Sequence, residues 1–514
     1  MSFANPQSPV QMLTPAETTI STQYLQLRIG GDLAAITGLC KALVEADDAA
    51  QRSGGARILD AAFIAEHTSG FEEFAASLRE TSWESIEHES GLPRVRLEEA
   101  ASVFAKARAV MAVYGMGLTQ HRKGVQNVQM VSNLLLLGGH IGRPGAGICP
   151  VRGHSNVQGQ RTVGISEKPE LVPLDKLAQL YGFEPPRAKG LNTVETCEGV
   201  LSGKVRAFVG LGGNFVRAVP DTGRIEEAWQ RLRLTVNVAT KLNRSHLIHG
   251  EVSYLLPCLG RIEIDRQAGG EQLLSVEDST GCMHASRGVA EPAAPSLLSE
   301  PAIVAGIAKP TLEPNSKVPW DAWVGDYGRV RDAIEATWPD VFRDFNRRFL
   351  EPGGFHRPIA ARQRVWKTPN GKANFKGFGK LVADPDTPET GPEVLRLMTV
   401  RSDEQFNTTI YSLDDRFRGV YGTRRVLLMN RADVERLGFA EGAQVDVETA
   451  VEDGHLRRVA GLRITPYDIP PGCVAGYYPE CNPLVPLAHH AEKSKVPASK
   501  SIPVRLHAAA GGPR

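Results

Sequence analysis

Seven of the 22 residues from Gly138 to Gly159, GGHIGRPGAGICPVRGHSNVQG, are glycine, and the same stretch carries His140, Arg143, Arg152, His154 and Asn156. Glycine lets backbone N–H groups approach a ligand closely and take positive φ, while a guanidinium grips phosphate or carboxylate through paired hydrogen bonds. One reading is a bed for a polyanionic ligand. The other is a turn-rich loop with solvated charges.

The flanking elements favour the first reading. Arg108–Tyr114 (RAVMAVY) reads as a buried strand, Gly115-Met116-Gly117 as a tight turn, and Gly124–Leu137 as a helix. Val125, Val128, Val131 and Leu135 recur there at helical spacing, and Gly138 stands where a C-cap is expected. Strand, glycine turn and helix form the βα geometry that holds ligands beyond strand C-termini. The Gly-x-Gly lacks the full dinucleotide fingerprint and its acidic partner, so an NAD enzyme is a distant alternative.

Similar alternation runs along the chain. Tyr24–Ile29 reads as a strand, Gly30-Gly31-Asp32 as a turn, and Leu33–Glu45 as a helix. Helical segments follow at Ala61–His67, Phe71–Arg79 and Arg96–Ala107. Arg206–Leu211, Arg224–Arg233 and Leu234–Ala239 repeat the pattern, and polar sites near Asn214 and Asn237 would share one crevice of a doubly wound α/β fold. Arg287–Pro319 is proline-spaced, as an extended connector would be, and Asp321–Phe349 reads as helix broken at Pro339. From Leu395 the composition changes to short β-type runs (LRLMTVR, RVLLMN, AQVDVETA, LRRVAGLRI, CVAGYY) with one helix beginning near Asn430, the pattern of a closed β-barrel. Expected domains are therefore an unstructured lead (1–22), an α/β domain (23–152), a second α/β domain (153–286), a linker and helical connector (287–390) and a barrel domain (391–514).

Composition excludes several function classes. A net charge of +1 gives no footprint for nucleic acid or an acidic membrane surface. The sequence has no run of about 18 apolar residues, no signal peptide and no twin arginine, so a cytoplasmic location without a membrane span is expected. The seven cysteines are dispersed without C-x-x-C spacing, as packed thiols are, and would hold no iron–sulfur cluster.

The run YGMGLTQHRKGVQNVQMVSNLLLLGGHIGRPGAGICPVRGHSNVQG resembles the corresponding segment of the molybdopterin oxidoreductases, in the branch similar to formate dehydrogenase alpha subunits. Residues 24–165 and 395–508 carry most of the likeness, the middle (200–285) matches in outline, and Thr368–Phe375 resembles the family's hairpin ahead of its last domain. The resemblance implies a double-psi barrel at the C-terminus and two molybdopterin guanine dinucleotides meeting at one molybdenum. It sets Gly30, Gly31 and Asp32 at one dinucleotide, Met116 and Gln120 on the strand-to-helix turn, and Asn214 after a second glycine turn. In the barrel it sets Arg401 to Thr409, with Gln405, Asn407, Thr408 and Thr409, around a pterin, and Tyr478, Asn482 and Lys500 beside the second pterin and its phosphates. Taken singly, Met116 also suits a core, Asp32 a helix N-cap, Asn482 a turn before Pro483, and Lys500 a solvated surface.

For catalysis the resemblance singles out Arg152, which would hold a substrate carboxylate in a dry site. The family's V-R-G-Q is here Val151-Arg152-Gly153-His154, so His154 suits a proton relay or an ordinary loop hydrogen bond. Two further departures fall in the middle, at Asn237-Val238-Ala239 and at Glu277–Gly281. In relatives a 4Fe-4S region and the residue coordinating molybdenum come earlier than Met1 here. The chain is thus expected to be the C-terminal two thirds of such an enzyme, inactive by itself, with an N-terminal half or electron-transfer partner and a small-molecule substrate. No metal ligand is assigned; Cys149 is the one candidate substitute. The rival expectation is a non-catalytic scaffold that keeps the fold.

Overall fold

The computed structural model describes residues 2–3, 7–14, 16–379, 381 and 391–509; parts of the expected lead and linker lie outside that range. The lead is more ordered than expected. It contains a short helix, Pro9–Leu13, whose start is fixed by Ser8 Oγ accepting the Gln11 N–H, and Ser2–Phe3 pairs with Thr18–Thr19. Tyr24–Ile29 forms no strand, because no neighbour ladders with it. Instead Arg28 N–H bonds the Ser90 carbonyl at 2.9 Å, and Leu25 and Leu27 pack into the first core.

That core surrounds a helix running from Asp32 to Arg52, longer than the sequence suggests because the alanine-rich stretch after Glu45 continues it. Leu33, Leu43 and Val44 face helices Phe71–Glu80, Arg94–Lys106 and Gly124–Leu137, together with an unforeseen one, Trp83–Ser90, capped by Ser82 and Gly91. Asp47 on the long helix is buried. It takes hydrogen bonds from Arg57 and from the N–H groups of Ile58 (2.8 Å) and Leu59 (3.1 Å). Burial alone would raise this carboxyl, but those donors outweigh it and hold it below the usual carboxylate range. Its folded pKa is thus below its unfolded one, so its stabilisation is present above about pH 4 and is lost as pH falls through the depressed value. Asp47→Ala should cost about 2 kcal/mol at pH 7, and the gap to wild type in urea midpoint should shrink by pH 3.

The α/β alternation is real but split between two sheets. Met111–Tyr114 pairs in parallel with Gly147–Pro150, and Ala207–Leu211, Leu234–Ala239 and Val252–Pro257 form a second parallel sheet. The first strand is not buried as expected: Met111 and Val113 are 51% and 62% exposed. Only the central strand Leu234–Ala239 is largely buried. Asn237 lies inside that strand rather than beyond its end, so it does not join Asn214 in a crevice.

The proline-spaced segment is no simple extended connector. It contains helix Glu300–Thr311, with Ser299 as cap, Pro301 in the first turn where no N–H is needed, and Pro310 near the end. Residues 320–348 form four short helices, broken at Pro339 as expected and also at Asp326 and Asp344. The expected hairpin at Thr368–Phe375 is absent: Ala373–Asn374 pairs instead with Thr68–Ser69, carrying Phe375 and Phe378 into the first core.

Six strands close the C-terminal barrel. In chain order they are Leu395–Val400, Val426–Met429, Gln444–Thr449, Arg458–Pro466, Cys473–Tyr477 and Ile502–Ala508, the last unforeseen. The order around the barrel is first, fifth, second, fourth, third, sixth, with parallel pairing between first and fifth and between second and fourth. Asn430 caps the one helix, Arg431–Arg436. Two buried ties fasten the barrel to the second α/β region. Arg457 pairs with Asp221 and also with Asp453 at 2.7 Å, while Asn482 Nδ2 donates to the carbonyls of Val219 (2.8 Å) and Arg217 (3.1 Å).

Candidate functional site

The first group of residues forms where the start of the long helix meets the barrel. Gly30 has φ +82°, and a Cβ there would lie 3.6 Å from Ser501 Oγ and 3.9 Å from an Arg396 guanidinium nitrogen. Gly31 serves packing: a Cβ would come within 2.8 Å of the Glu89 carbonyl oxygen. Asp32 opens the helix at its first position and is 3.8 Å from His121 Nε2; burial raises its carboxyl, and His121 opposes the shift. Met116 and Gln120 touch each other at 3.8 Å. Gln120 also joins the barrel, accepting from Ser499 Oγ at 3.0 Å and from the Lys500 N–H at 3.1 Å. Lys500 Nζ turns toward Thr399, and burial, aided by Arg401, pulls its pKa down to about 8.

A second group joins the other α/β region to the barrel loop after Val400. Asn214 Nδ2 donates to Thr408 Oγ1 at 3.2 Å, while its Oδ1 accepts from Ser245. Gln405 is fixed by Ser402, Arg424 and the Tyr478 carbonyl, and Asn407 holds a positive φ of 54°. Arg401 lies 5.9 Å from the Tyr478 ring, and Lys241 lies 5.2 Å from Tyr411. Burial, eased by Arg401, leaves the Tyr478 hydroxyl pushed up to about 12. Thr409 begins the short strand opposite Gln405–Phe406. Asn482 stands apart, its amide spent on the Arg217–Thr222 turn.

These contacts fit a phosphate-bearing dinucleotide. Ser501 Oγ, beside Gly30, and Arg396 Nη2, on the guanidinium whose Nη1 bonds the Ile29 carbonyl at 3.0 Å, are buried without a hydrogen-bond partner, and buried donors of this kind call for an acceptor. Arg396, Arg424, Lys241, Ser245 and Ser501 were not singled out from sequence. The Lys500-Ser501 pairing was the one signal that could have exposed Ser501; an arginine inside the strand run LRLMTVR carries none.

The glycine-rich stretch behaves differently from a polyanion bed. Arg143 is committed to Asp60 (3.2 Å) and the Arg108 carbonyl (2.9 Å), and His140 is buried edge-on against Phe104. Arg152 and His154 are both exposed, and the Arg152 N–H contacts Ser279 Oγ at 3.3 Å. The dry setting expected for Arg152 is therefore not formed by the described residues. Cys149 is half-buried in its strand, the other six thiols are buried, and all seven are free.

Comparison with known proteins identifies two domains. Residues 5–247 match the family described as molybdopterin oxidoreductase, and residues 395–503 match the molydopterin dinucleotide binding domain. The chain is 46% identical over 506 residues to protein YdeP of Escherichia coli K12, an alignment covering 98% of this chain and 66% of that protein. It is 42% identical over 492 residues to an uncharacterized oxidoreductase of Mycobacterium tuberculosis, covering 95% and 62%. Formate dehydrogenase H of Escherichia coli is 28% identical over 228 residues, covering 42% and 30%. The chain thus spans slightly under two thirds of the length of the first two relatives. In fold it is similar to acetylene hydratase from Pelobacter acetylenicus, with a TM-score of 0.62 at 14% identity, covering 94% and 71%. The chain carries a domain of the molybdopterin oxidoreductase family followed by a molydopterin dinucleotide binding domain, the pair that binds molybdopterin guanine dinucleotide with molybdenum.

Proposed function

We propose that the chain is the cofactor-embracing part of a molybdenum oxidoreductase, related to formate dehydrogenase, that oxidises or reduces a small anionic substrate at a bis-molybdopterin guanine dinucleotide centre. The observation that carries this reading is the meeting of barrel residues with both α/β regions: Ser499 to Ser501 with Gln120 and Gly30, and Thr408 with Asn214. Two separate meeting points against one barrel suit two long ligands, and the mixed parallel and antiparallel closure of six strands suits a double-psi barrel. When bound, the molybdenum centre supplies a two-electron donor or acceptor. The chain's own residues hold and orient it. Lys500, Arg396 and Ser501 would hold its phosphates, and Asn214, Thr408, Arg401 and Tyr478 would hold its pterins.

Arg152 is the proposed substrate clamp, with His154 beside it. Turnover then needs an electron-transfer partner or further polypeptide, which would also dry the clamp. Exposed apolar residues on the parallel strands, among them Met111, Val113, Val209, Leu211 and Tyr254, support such a cover, since parallel sheets are ordinarily covered on both faces. Seven free thiols support a reducing, cytoplasmic location. Among the described residues no helix is long and apolar enough to cross a membrane. The second reading, a scaffold without turnover, draws on the exposure of both Arg152 and His154.

Metal analysis and oxidised-pterin fluorescence of the purified chain test the proposal: near-stoichiometric molybdenum and guanine-pterin are expected, and absence of both even from the longest natural polypeptide would favour the scaffold. Lys500→Met should cut retained cofactor at least about tenfold. A lysine whose folded pKa is depressed to about 8 costs stability while protonated, and that cost disappears as pH rises from 8 toward 10.5. The cofactor-free variant should therefore melt no lower than wild type at pH 7, which separates a binding defect from a folding one.

A further inference from the structure

The Arg152 loop has a cavity of about 380 Å³ behind it. Strand Leu274–Glu277, helix Tyr327–Thr337 and helix Val157–Thr162 wall it, and most of its surface is apolar, contributed by Val163, Leu273, Val276, Met283, Ile334 and Phe345. Size and lining are those of a small-molecule site. Three polar side chains with buried positions reach it. Tyr327 is satisfied by Ser299 (2.8 Å) and Asp265, and Arg331 donates to Asn346 Oδ1 (2.6 Å) and the Leu273 carbonyl (2.8 Å).

Glu277 is different. It is 3% exposed; its Oε1 accepts from Gln158 Nε2 at 3.0 Å and lies 3.2 Å from Arg357 Nε, but its Oε2 is buried without a hydrogen-bond partner. A buried carboxylate oxygen left unbonded is costly, and a donor brought by an occupant would remove that cost. Because Arg357 already balances the charge, the occupant need not be cationic. The same residue is tied to the loop carrying Arg152: Glu277 N–H donates to Asn156 Oδ1 at 3.1 Å, and Asn156 and Gly159 line the cavity.

We propose that this cavity binds a compact, neutral, apolar molecule of about ten non-hydrogen atoms, a size suited to such a volume, with one N–H or O–H group turned to Glu277. The site is separate from the dinucleotide cradle and does not depend on the proposed redox function.

Indole and benzofuran test it, because they match in shape but indole donates a hydrogen bond and benzofuran only accepts one. In ligand-detected NMR titrations of the full chain, indole should bind at one site about tenfold more tightly than benzofuran. Glu277→Gln keeps an oxygen for Gln158 and Arg357 and puts an amide N–H in place of Oε2, so the preference should vanish or reverse. Ile334→Trp fills the cavity and should abolish binding of both, with the melting curve reporting that the chain is folded. Equal affinity of the two probes for wild type, no binding of either, or undiminished binding to a folded Ile334→Trp chain would each overturn the proposal, even if Glu277→Gln fails to fold.

Discussion

Asp221→Ala should destabilise the chain by about 3–5 kcal/mol, the cost of breaking a buried ion pair. Asp221 and Arg457 are both almost wholly buried where the second α/β region meets the barrel, and Asp221 also takes a hydrogen bond from Arg224 at 2.7 Å. Asp453 would remain on Arg457, but it reaches only the terminal nitrogens, leaving Nε facing a cavity. Removing both charges should be milder than removing one. A double-mutant cycle with Arg457→Met, read by urea midpoint, should give a coupling of at least about 1 kcal/mol; additive losses would mean that the pair contributes nothing beyond its packing.

Arg152→Ala is expected to lower turnover of the active holoenzyme at least about 100-fold, the scale of losing a charged contact to a reacting anion, with molybdenum and pterin content unchanged. The division between the two readouts follows from position. Arg152 lies on an exposed loop held by its backbone contact to Ser279, whereas the residues suited to hold phosphates cluster around Gly30 and the barrel. Arg152→Lys should recover part of the activity if charge alone matters and little if a planar, two-pronged grip is needed. Unchanged kcat/KM in Arg152→Ala would remove the residue from the reaction.

Much of the local structure was legible in sequence because it is dictated locally. Helix Gly124–Leu137 and strand Leu234–Ala239 occur at the residues that periodicity indicates, and Asn430 caps its helix as its type suggests. What failed depended on distant partners. Tyr24–Ile29 has strand-like composition but no strand beside it, and Ala373–Asn374 found its partner some 300 residues away, at Thr68–Ser69. Site residues divide in the same way. Gln120 meets the barrel at Ser499 and Asn214 meets it separately at Thr408, while Asn482 is a tie between regions, Gly31 a packing position and Arg143 an ion-pair partner. Ser501 and Arg396 became visible only through their unsatisfied atoms, a property no sequence displays.

The ties at Arg457 and Asn482 also bear on timing. Opening the barrel away from the second α/β region would strip the Arg457 guanidinium from Asp221 and the Asn482 amide from three acceptors in one movement. A hinge at that seam would be slow on the scale of a catalytic cycle. A dinucleotide held between the barrel and that region would then have to be laid in before the seam closes, and would leave no faster than the seam breaks.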